Sequence, residues 1–558
     1  MIDQFKSAPH CKDAYIYAYD VVQDRVAASA EIVQACQRFI DDLGRDFAFH
    51  FDAGKGEKAC RFVEKLPHTK GRWASKGLKI SLEPFQKFII ANIFGWVDDD
   101  GLRRFREVYI KEPRKNGKSL LSAAIGHLMF TADGEFGAEV YSGATTEKQA
   151  WEVFGPARLM AKRTEEYTEY FGIDVNAKSL VIIDNGSKFE PLIGNPGDGS
   201  SPSCAIVDEY HEHKTDDFVS TMKTGMGSRE QPLMLIITTA GADMGGPCFE
   251  MESEYKKLLQ GVYHDDRTFV LIYGIDAEDD WTDPAILIKA NPNYGVSVSE
   301  EFLLAAQAEA IRNASKQNAF KRKHLNVWVG AKTAWLNMET VKKCVDATLK
   351  LEDYQARDCI IPVDLASKID ITAVLKLFPE TIEGKVHYTA FCRFYIPEET
   401  AQDPKNGHYQ KWITDGFLTA TEGNEIDFNE IQMDIINDMS EYRVQEITYD
   451  PWRATQLAQG LQADGATITE FRNTVKNMSP AMYELEAAIE SGRFHYDGNP
   501  VLTWMFSNVV ALADANDNIK ARKEKPENKI DGVISLIMGV GRSMVHEEVP
   551  IMPGVVVL

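Results

Sequence analysis

Apolar and polar positions along the chain change period several times, and each change marks a predicted unit. Residues 1 to about 70 carry apolar positions at helical spacing, in AYIYAYDVVQ and AEIVQACQRFIDDL, ending near Gly44. That spacing predicts an N-terminal helical appendage. From 71 to 279, short β-rich runs alternate with helical stretches: REVYI at 106–110, LLSAAIGHLMF at 120–130, AEVYSGA at 138–144, CAIVDE at 204–209 and LMLIITTA at 233–240. This α/β alternation predicts a parallel sheet flanked by helices. Residues 280–345 read as a mostly helical lid or linker. From 346 to 545 a second α/β unit opens on the strands DCIIPVD, ITAVLKLF, VHYTAFCRFYI and QEITYD, and closes on helices expected at 502–515 and 532–543. Residues 546–558 read as a tail, and no internal repeat is evident.

Composition narrows the class without naming a function. The chain has 558 residues, of which 44% are hydrophobic and 26% charged, an ordinary globular balance that excludes disorder, collagen and coiled coil. No run of about eighteen apolar residues occurs, and the first residues lack a basic region followed by an apolar one, so a cytosolic protein is expected. The eight cysteines are scattered without a CxxC pair and read as reduced, mostly buried thiols. With 61 Lys and Arg against 84 Asp and Glu, the net charge of −23 argues against coating DNA by bulk electrostatics and leaves room for local basic channels.

The chemistry-bearing segments fall at strand ends. Glu112-Pro113-Arg114-Lys115-Asn116-Gly117-Lys118-Ser119 follows a strand and opens a helix, the context a phosphate loop requires. Gly117 lets backbone N–H groups approach phosphate, Lys118 reaches the β and γ oxygens, and the Ser119 hydroxyl suits Mg²⁺. Glu112 departs from the common pattern, which has glycine there. Ninety residues after Lys118, the strand CAIVD ends in Asp208 and Glu209, like a Walker B strand: one carboxylate for the Mg²⁺ shell and one to polarise water. Thr238 and Thr239 end a further strand, where hydroxyls can sense the γ-phosphate or simply precede a glycine turn. Gln86 lies upstream in SLEPFQ, and its amide can pair with adenine. His211-Glu212-His213 reads as a helix start rather than a metal site, because no further ligands follow at usable spacing.

In the second unit Asp364 and Asp450 end strands and Asp531 opens a helix. Carboxylates so placed can converge on two Mg²⁺ or Mn²⁺ ions, the arrangement that hydrolyses phosphodiesters. Asp370 is either a fourth member or a turn residue. The basic run 520–529 is either a track for a DNA backbone or a solvated surface, and Lys321-Arg322-Lys323-His324 carries the same two readings.

In this order the motifs resemble the large terminase subunit of tailed double-stranded-DNA bacteriophages. The likeness spans roughly residues 60–545 and rests on HTKGRWASKGLKISLEPFQKFI, EPRKNGKS, CAIVDEYHEH, REQPLMLIITTAG, FKRKHLNVWV, VDLASKIDITAV, YDPW and KIDGVISLIMG. The resemblance implies an ASCE-type P-loop ATPase domain joined to a ribonuclease H-like nuclease domain. By motif, it assigns phosphate and Mg²⁺ binding to Lys118 and Ser119, Mg²⁺ to Asp208, catalysis to Glu209, coupling to Thr238 and Thr239, and adenine reading to Gln86. It assigns the nuclease metals to Asp364, Asp450 and Asp531. It also implies ATP and Mg²⁺ as cofactors, Mg²⁺ or Mn²⁺ for the nuclease, and double-stranded DNA, a portal protein and a small terminase subunit as partners. A homo-oligomeric ring, taken as pentameric, would act in the cytoplasm of the infected host and transiently on the procapsid portal, with no membrane involved. An arginine finger is required, either Arg114 in cis or Arg229 in trans. The rival readings are a helicase-type remodeller whose C-terminal half only grips DNA, and a non-catalytic assembly protein that keeps a decayed nucleotide fold.

Overall fold

The computed structural model describes residues 5–193, 199–329, 335–355, 357–365, 370–402, 406–451, 455–514, 518–523 and 528–545. It divides into two compact units, Met1–Ala308 with Phe320–Trp328, and Glu309–Ala319 with Val329–Leu558. The expected tail, Trp452 and the middle of the basic run at 524–527 lie outside the described residues.

The first unit is built on an eight-stranded sheet. Its six parallel strands run in the order Thr268–Ile272, Glu107–Lys111, Leu233–Thr238, Cys204–Asp208, Glu139–Ala144 and Ser187–Ile193, and the antiparallel pair Leu180–Ile182 and Ile173–Val175 completes one edge. One strand, Leu233–Thr238, separates the phosphate-loop strand from the strand ending in Asp208, so Thr238 and Thr239 stand between loop and carboxylates. Side chains alternate between two cores, as the pleat requires. Val108, Ile110, Cys204 and Ile206 enter one, while Tyr109, Ala205 and Val207 enter the other.

The helices Pro9–Val22, Ala30–Asp42 and Ala53–Lys65 are part of this unit rather than a separate appendage. Their Tyr17, Phe39 and Cys60 share one core with Phe88, Trp96 and the sheet. Phe39 meets Phe88 and Trp96 edge-on, at 5.4 and 6.2 Å. Buried Arg104 is paired with Asp42 at 2.7 Å, which ties the helical layer to the segment entering the sheet. The expected lid does not form a body of its own, since its residues divide between the two units.

The second unit has a seven-stranded sheet, ordered Thr419–Thr421, Lys385–Pro397, Thr372–Ile382, Asp358–Asp364, Arg443–Tyr449 and Ile468–Glu470, with Phe494–Tyr496 also paired to Lys385–Pro397. The three long strands are antiparallel, and Arg443–Tyr449 runs parallel to Asp358–Asp364, which brings Asp364 and Asp450 to the same end of the sheet. Helix Asp531–Ser543 lies close on this sheet. A Cβ on Gly532 would stand 2.8 Å from Phe394, and one on Gly539 2.9 Å from Leu377. The helix expected at 502–515 ends at Asn508. Residues Val509–Ala513 instead pair antiparallel with Ile519–Lys523, because the β-branched Val509 and Val510 find strand partners in Arg522 and Lys523. Part of the basic run is therefore a strand rather than a loop. All eight cysteines are free, seven buried and Cys392 partly so.

Candidate functional site

The phosphate loop leaves its strand at Lys111 and enters helix Lys118–Thr131. The turn requires left-handed backbone at Lys115 (φ 73°) and Gly117 (φ 105°), and at Gly117 the absent side chain makes this cheap. A bracing set that sequence reasoning missed holds the loop. The buried Asn116 donates from Nδ2 to Asn291 Oδ1 at 2.9 Å and accepts at Oδ1 from the Asn293 backbone N–H at 3.0 Å. Asn293 Nδ2 donates to the Asn116 carbonyl at 2.7 Å. Only the segment Asn291-Pro292-Asn293 itself signalled this, and it reads as a turn.

Four predicted residues meet at the carboxyl ends of adjacent strands. Lys118 Nζ stands 3.9 Å from Glu209 Oε1, and Ser119 Oγ donates to Asp208 Oδ2 at 3.4 Å. Asp208 also accepts the Glu209 backbone N–H at 2.8 Å, and burial with the neighbouring Glu209 charge pushes its carboxyl up to about 7. Glu209 sits in the left-handed region at φ 50°, a strained backbone of the kind that clusters at functional sites. Its other oxygen accepts from Thr239 Oγ1 at 3.3 Å and lies 3.2 Å from His211 Nδ1. That ring nitrogen is also 3.1 Å from Thr238 Oγ1. His211 sits in the middle of a 3-10 turn, Tyr210–Glu212, and joins Glu209 to Thr238 and Thr239. The sequence alone places it only at a helix start.

Beside the loop lies a cavity of about 390 Å³ lined by His68, Trp73, Gln86, Gly117, Ser119 and Asn293. Its size suits a nucleoside. The rings of His68 and Trp73 stack at 5.0 Å. Gln86 closes a capping box at the start of helix Pro84–Gly95, accepting the Glu83 N–H at 3.1 Å, and this fixes its amide toward Gly117. Arg114 is exposed on the loop, its backbone N–H held by the Lys323 carbonyl at 2.9 Å. Arg229 lies before the strand that ends in Thr238, at the end of the sheet away from the loop. Its guanidinium is bound to Glu135 at 2.9 Å and to the Ser201 and Gly137 carbonyls.

In the second unit burial, and then the charges of Asp531, Asp450 and Asp370, hold the Asp364 carboxyl well above the usual range. Burial and Asp370 raise Asp531 likewise. Asp370 faces the basic run, with Lys529 Nζ at 2.5 Å and Lys523 Nζ at 3.7 Å. Among the described residues no group of three His, Cys, Asp or Glu is drawn close enough to enclose a metal ion. The donor set nevertheless fits one. All its atoms are hard carboxylate oxygens, Asp531 Oδ2 is buried without a hydrogen-bond partner, and the mutual repulsion is what a divalent cation would relieve.

A P-loop sheet with one strand between loop and carboxylates, followed by a ribonuclease H-like sheet with aspartates at its strand ends, defines a two-domain ATPase and nuclease. The chain belongs to the terminase large-subunit family: the family's endonuclease domain matches residues 262–547 and its ATPase domain residues 84–257. It is 45% identical to Protein YmfN of Escherichia coli (strain K12) over 364 residues, 63% of this chain and 80% of that protein. It is 26% identical to the terminase large subunit of Enterobacteria phage HK97 over 502 residues, 87% of this chain and 95% of that one. The crystal structure of the HK97 large terminase is similar at a TM-score of 0.43 and 25% identity, covering 88% of this chain and 99% of that one. The two domains are the ATPase and nuclease modules that together power DNA packaging and cleavage in tailed phages. The C-terminal half matches the family's endonuclease domain over residues 262–547. No helix among the described residues is long and apolar enough to cross a membrane.

Proposed function

We propose that ATP hydrolysis in the first unit drives double-stranded DNA into a procapsid and that the second unit cuts concatemeric DNA at the start and end of packaging. The observation that carries the first half is the meeting of Lys118, Ser119, Asp208, Glu209 and Thr239 at adjacent strand ends. In this reading Gln86 reads adenine, while Gly117 and Lys118 hold the phosphates. Ser119 and Asp208 hold Mg²⁺. Glu209 takes a proton from the water that attacks the γ-phosphorus as ADP leaves, and Thr238 and Thr239 pass the change on. Lys118 Nζ stands 3.9 Å from Glu209 Oε1, so a phosphate that draws the lysine toward itself would free the carboxylate for water. Arg114, exposed on the loop, is favoured as the arginine finger over Arg229, whose guanidinium is engaged in its own subunit.

In the nuclease unit Asp364, Asp450 and Asp531 would hold two Mg²⁺ or Mn²⁺ ions. These metals supply Lewis-acid stabilisation of phosphodiester cleavage. The lysines at 523 and 529 would follow the DNA backbone. The partners of this reading are duplex DNA, a portal protein, a small terminase subunit and four further copies in a ring, in the cytoplasm of the infected bacterium and on the portal.

Two assays test it. Steady-state ATP turnover should fall by about two to four decades in Glu209→Ala. Plasmid should be nicked and linearised with Mn²⁺ by the natural protein but not by Asp364→Ala. Equal turnover in both proteins of the first pair would return the first unit to a nucleotide-fold scaffold.

A further inference from the structure

Behind the nucleotide site lies a buried polar network that neither the phosphate loop nor the catalytic carboxylates use. Lys111, the last residue of the phosphate-loop strand, donates from Nζ to Glu252 Oε1 at 2.9 Å, and both side chains are buried. The other Glu252 oxygen accepts from Trp328 Nε1 at 2.8 Å and from the Tyr109 hydroxyl at 3.3 Å. The Lys111 ammonium also lies 5.5 Å from the Trp328 ring centroid. Tyr109 OH meets Cys248 Sγ at 3.6 Å, and that thiol donates to Thr238 Oγ1 at 3.8 Å, which joins the network to the coupling threonine.

The edge of the six-membered ring of the indole presses on the segment after the threonines. A Cβ on Gly241 would stand 2.7 Å from Trp328 Cζ3. Trp328 is the last residue of the first unit, and at Val329 the chain passes into the second.

A buried ion pair adds little stability over apolar residues of the same volume, but its directional bonds fix where its partners sit. Here they fix the polar edge of the indole against helix Pro247–Leu259 and the phosphate-loop strand, while the ring edge rests on Gly241. We propose that Lys111, Glu252 and Trp328 form the joint that passes the nucleotide state of Thr238 and Thr239 to the end of the motor unit at Trp328. When the threonines shift with the γ-phosphate, Gly241 moves against an indole held at its other edge, and Trp328 moves with it. The three are positioning residues, since none touches nucleotide. The inference rests on the motor reading above.

The test uses the full chain: ATP turnover with and without linear duplex DNA, KM for ATP, and melting temperature. Trp328→Phe keeps a six-membered aromatic ring and removes the pyrrole ring with its N–H donor, while Glu252 keeps its bonds from Lys111 and Tyr109. It should leave DNA-free turnover and KM unchanged, lower the melting temperature by no more than about 2–4 °C, and lower DNA stimulation on the order of tenfold, because a bond to a charged acceptor is worth about that factor. Gly241→Ala, whose Cβ would press on the indole at 2.7 Å and on His211 at 3.1 Å, should lose stimulation together with some DNA-free turnover, and the double variant should lose no more stimulation than the worse single one. Stimulation at the natural level in both single variants overturns the proposal. So does a loss in Trp328→Phe that vanishes when turnover is measured well below its melting temperature, or that follows a lowered DNA-free turnover, which would make the network a structural brace. A natural protein without ATP turnover would instead remove the motor reading, and the joint with it.

Discussion

Glu112 replaces the first glycine of the usual phosphate loop with a carboxyl that is 1% exposed and has no partner for Oε2. Burial, opposed only in part by the Lys118 ammonium, pushes it up from its ordinary 4.5 to about 8. At neutral pH the folded protein therefore holds a proton that the unfolded chain releases. The stability this contributes is complete below pH 4.5 and is lost as pH rises through 8. The full span corresponds to about 5 kcal/mol, which relaxation and water entry reduce to about 2–3 kcal/mol. Glu112→Gln is neutral at every pH and nearly isosteric, so its melting temperature should gain on the natural protein by about 3–8 °C between pH 5.5 and 8.5. Thermal melts of both proteins in parallel buffers read this directly. The same logic extends to nucleotide: above pH 8 an ionised Glu112 competes with phosphate for Lys118, so KM for ATP should rise in the natural protein and stay level in the variant. A melting-temperature gap that is constant from pH 5.5 to 8.5 would refute the reasoning, because it would mean that Glu112 carries the same charge folded and unfolded.

Asn116→Ala removes the buried side-chain bonds to Asn291 Oδ1 and from the Asn293 N–H, each worth about 1–3 kcal/mol when its partner is left unpaired, and should raise KM for ATP at least tenfold in a turnover assay while the sheet still folds. Asp531→Asn relieves like-charge crowding, so the metal-free protein should melt higher than the natural one, and the stabilisation that Mn²⁺ gives the natural protein should shrink in a calorimetric scan. Arg114→Ala should lower ATP turnover by about three decades with little change in melting temperature. Arg229→Ala should lower the melting temperature and spare the turnover of the folded fraction, as a lost anchor would.

Strand ends were the legible part of the sequence. Both the phosphate loop and the Asp208–Glu209 pair are local: a short apolar run followed by reactive residues, readable within ten positions. What escaped reading depends on partners far along the chain. Asn291 and Asn293 serve the loop from 175 and 177 residues away, and nothing around them marks that duty. His211 looked like a helix start because its partners, Glu209 and Thr238, meet only when two strands pair. The N-terminal helices looked detachable because their apolar faces do not announce which surface covers them, and here it is the motor sheet. The apolar run 509–513 fits helix or strand alike, and pairing with 519–523 decides it.

The asparagine brace also sets an order of events during synthesis. The glycine and lysine of the phosphate loop leave the ribosome long before Asn291 and Asn293 exist, and the edge strand Thr268–Ile272 beside the loop's own strand also arrives late. A nascent chain with every strand up to Thr238 in hand therefore still has an unbraced loop, and its hold on ATP is weak. The nucleotide site is completed only when the chain has passed residue 293, after the last strand of the motor sheet and before the nuclease unit is made.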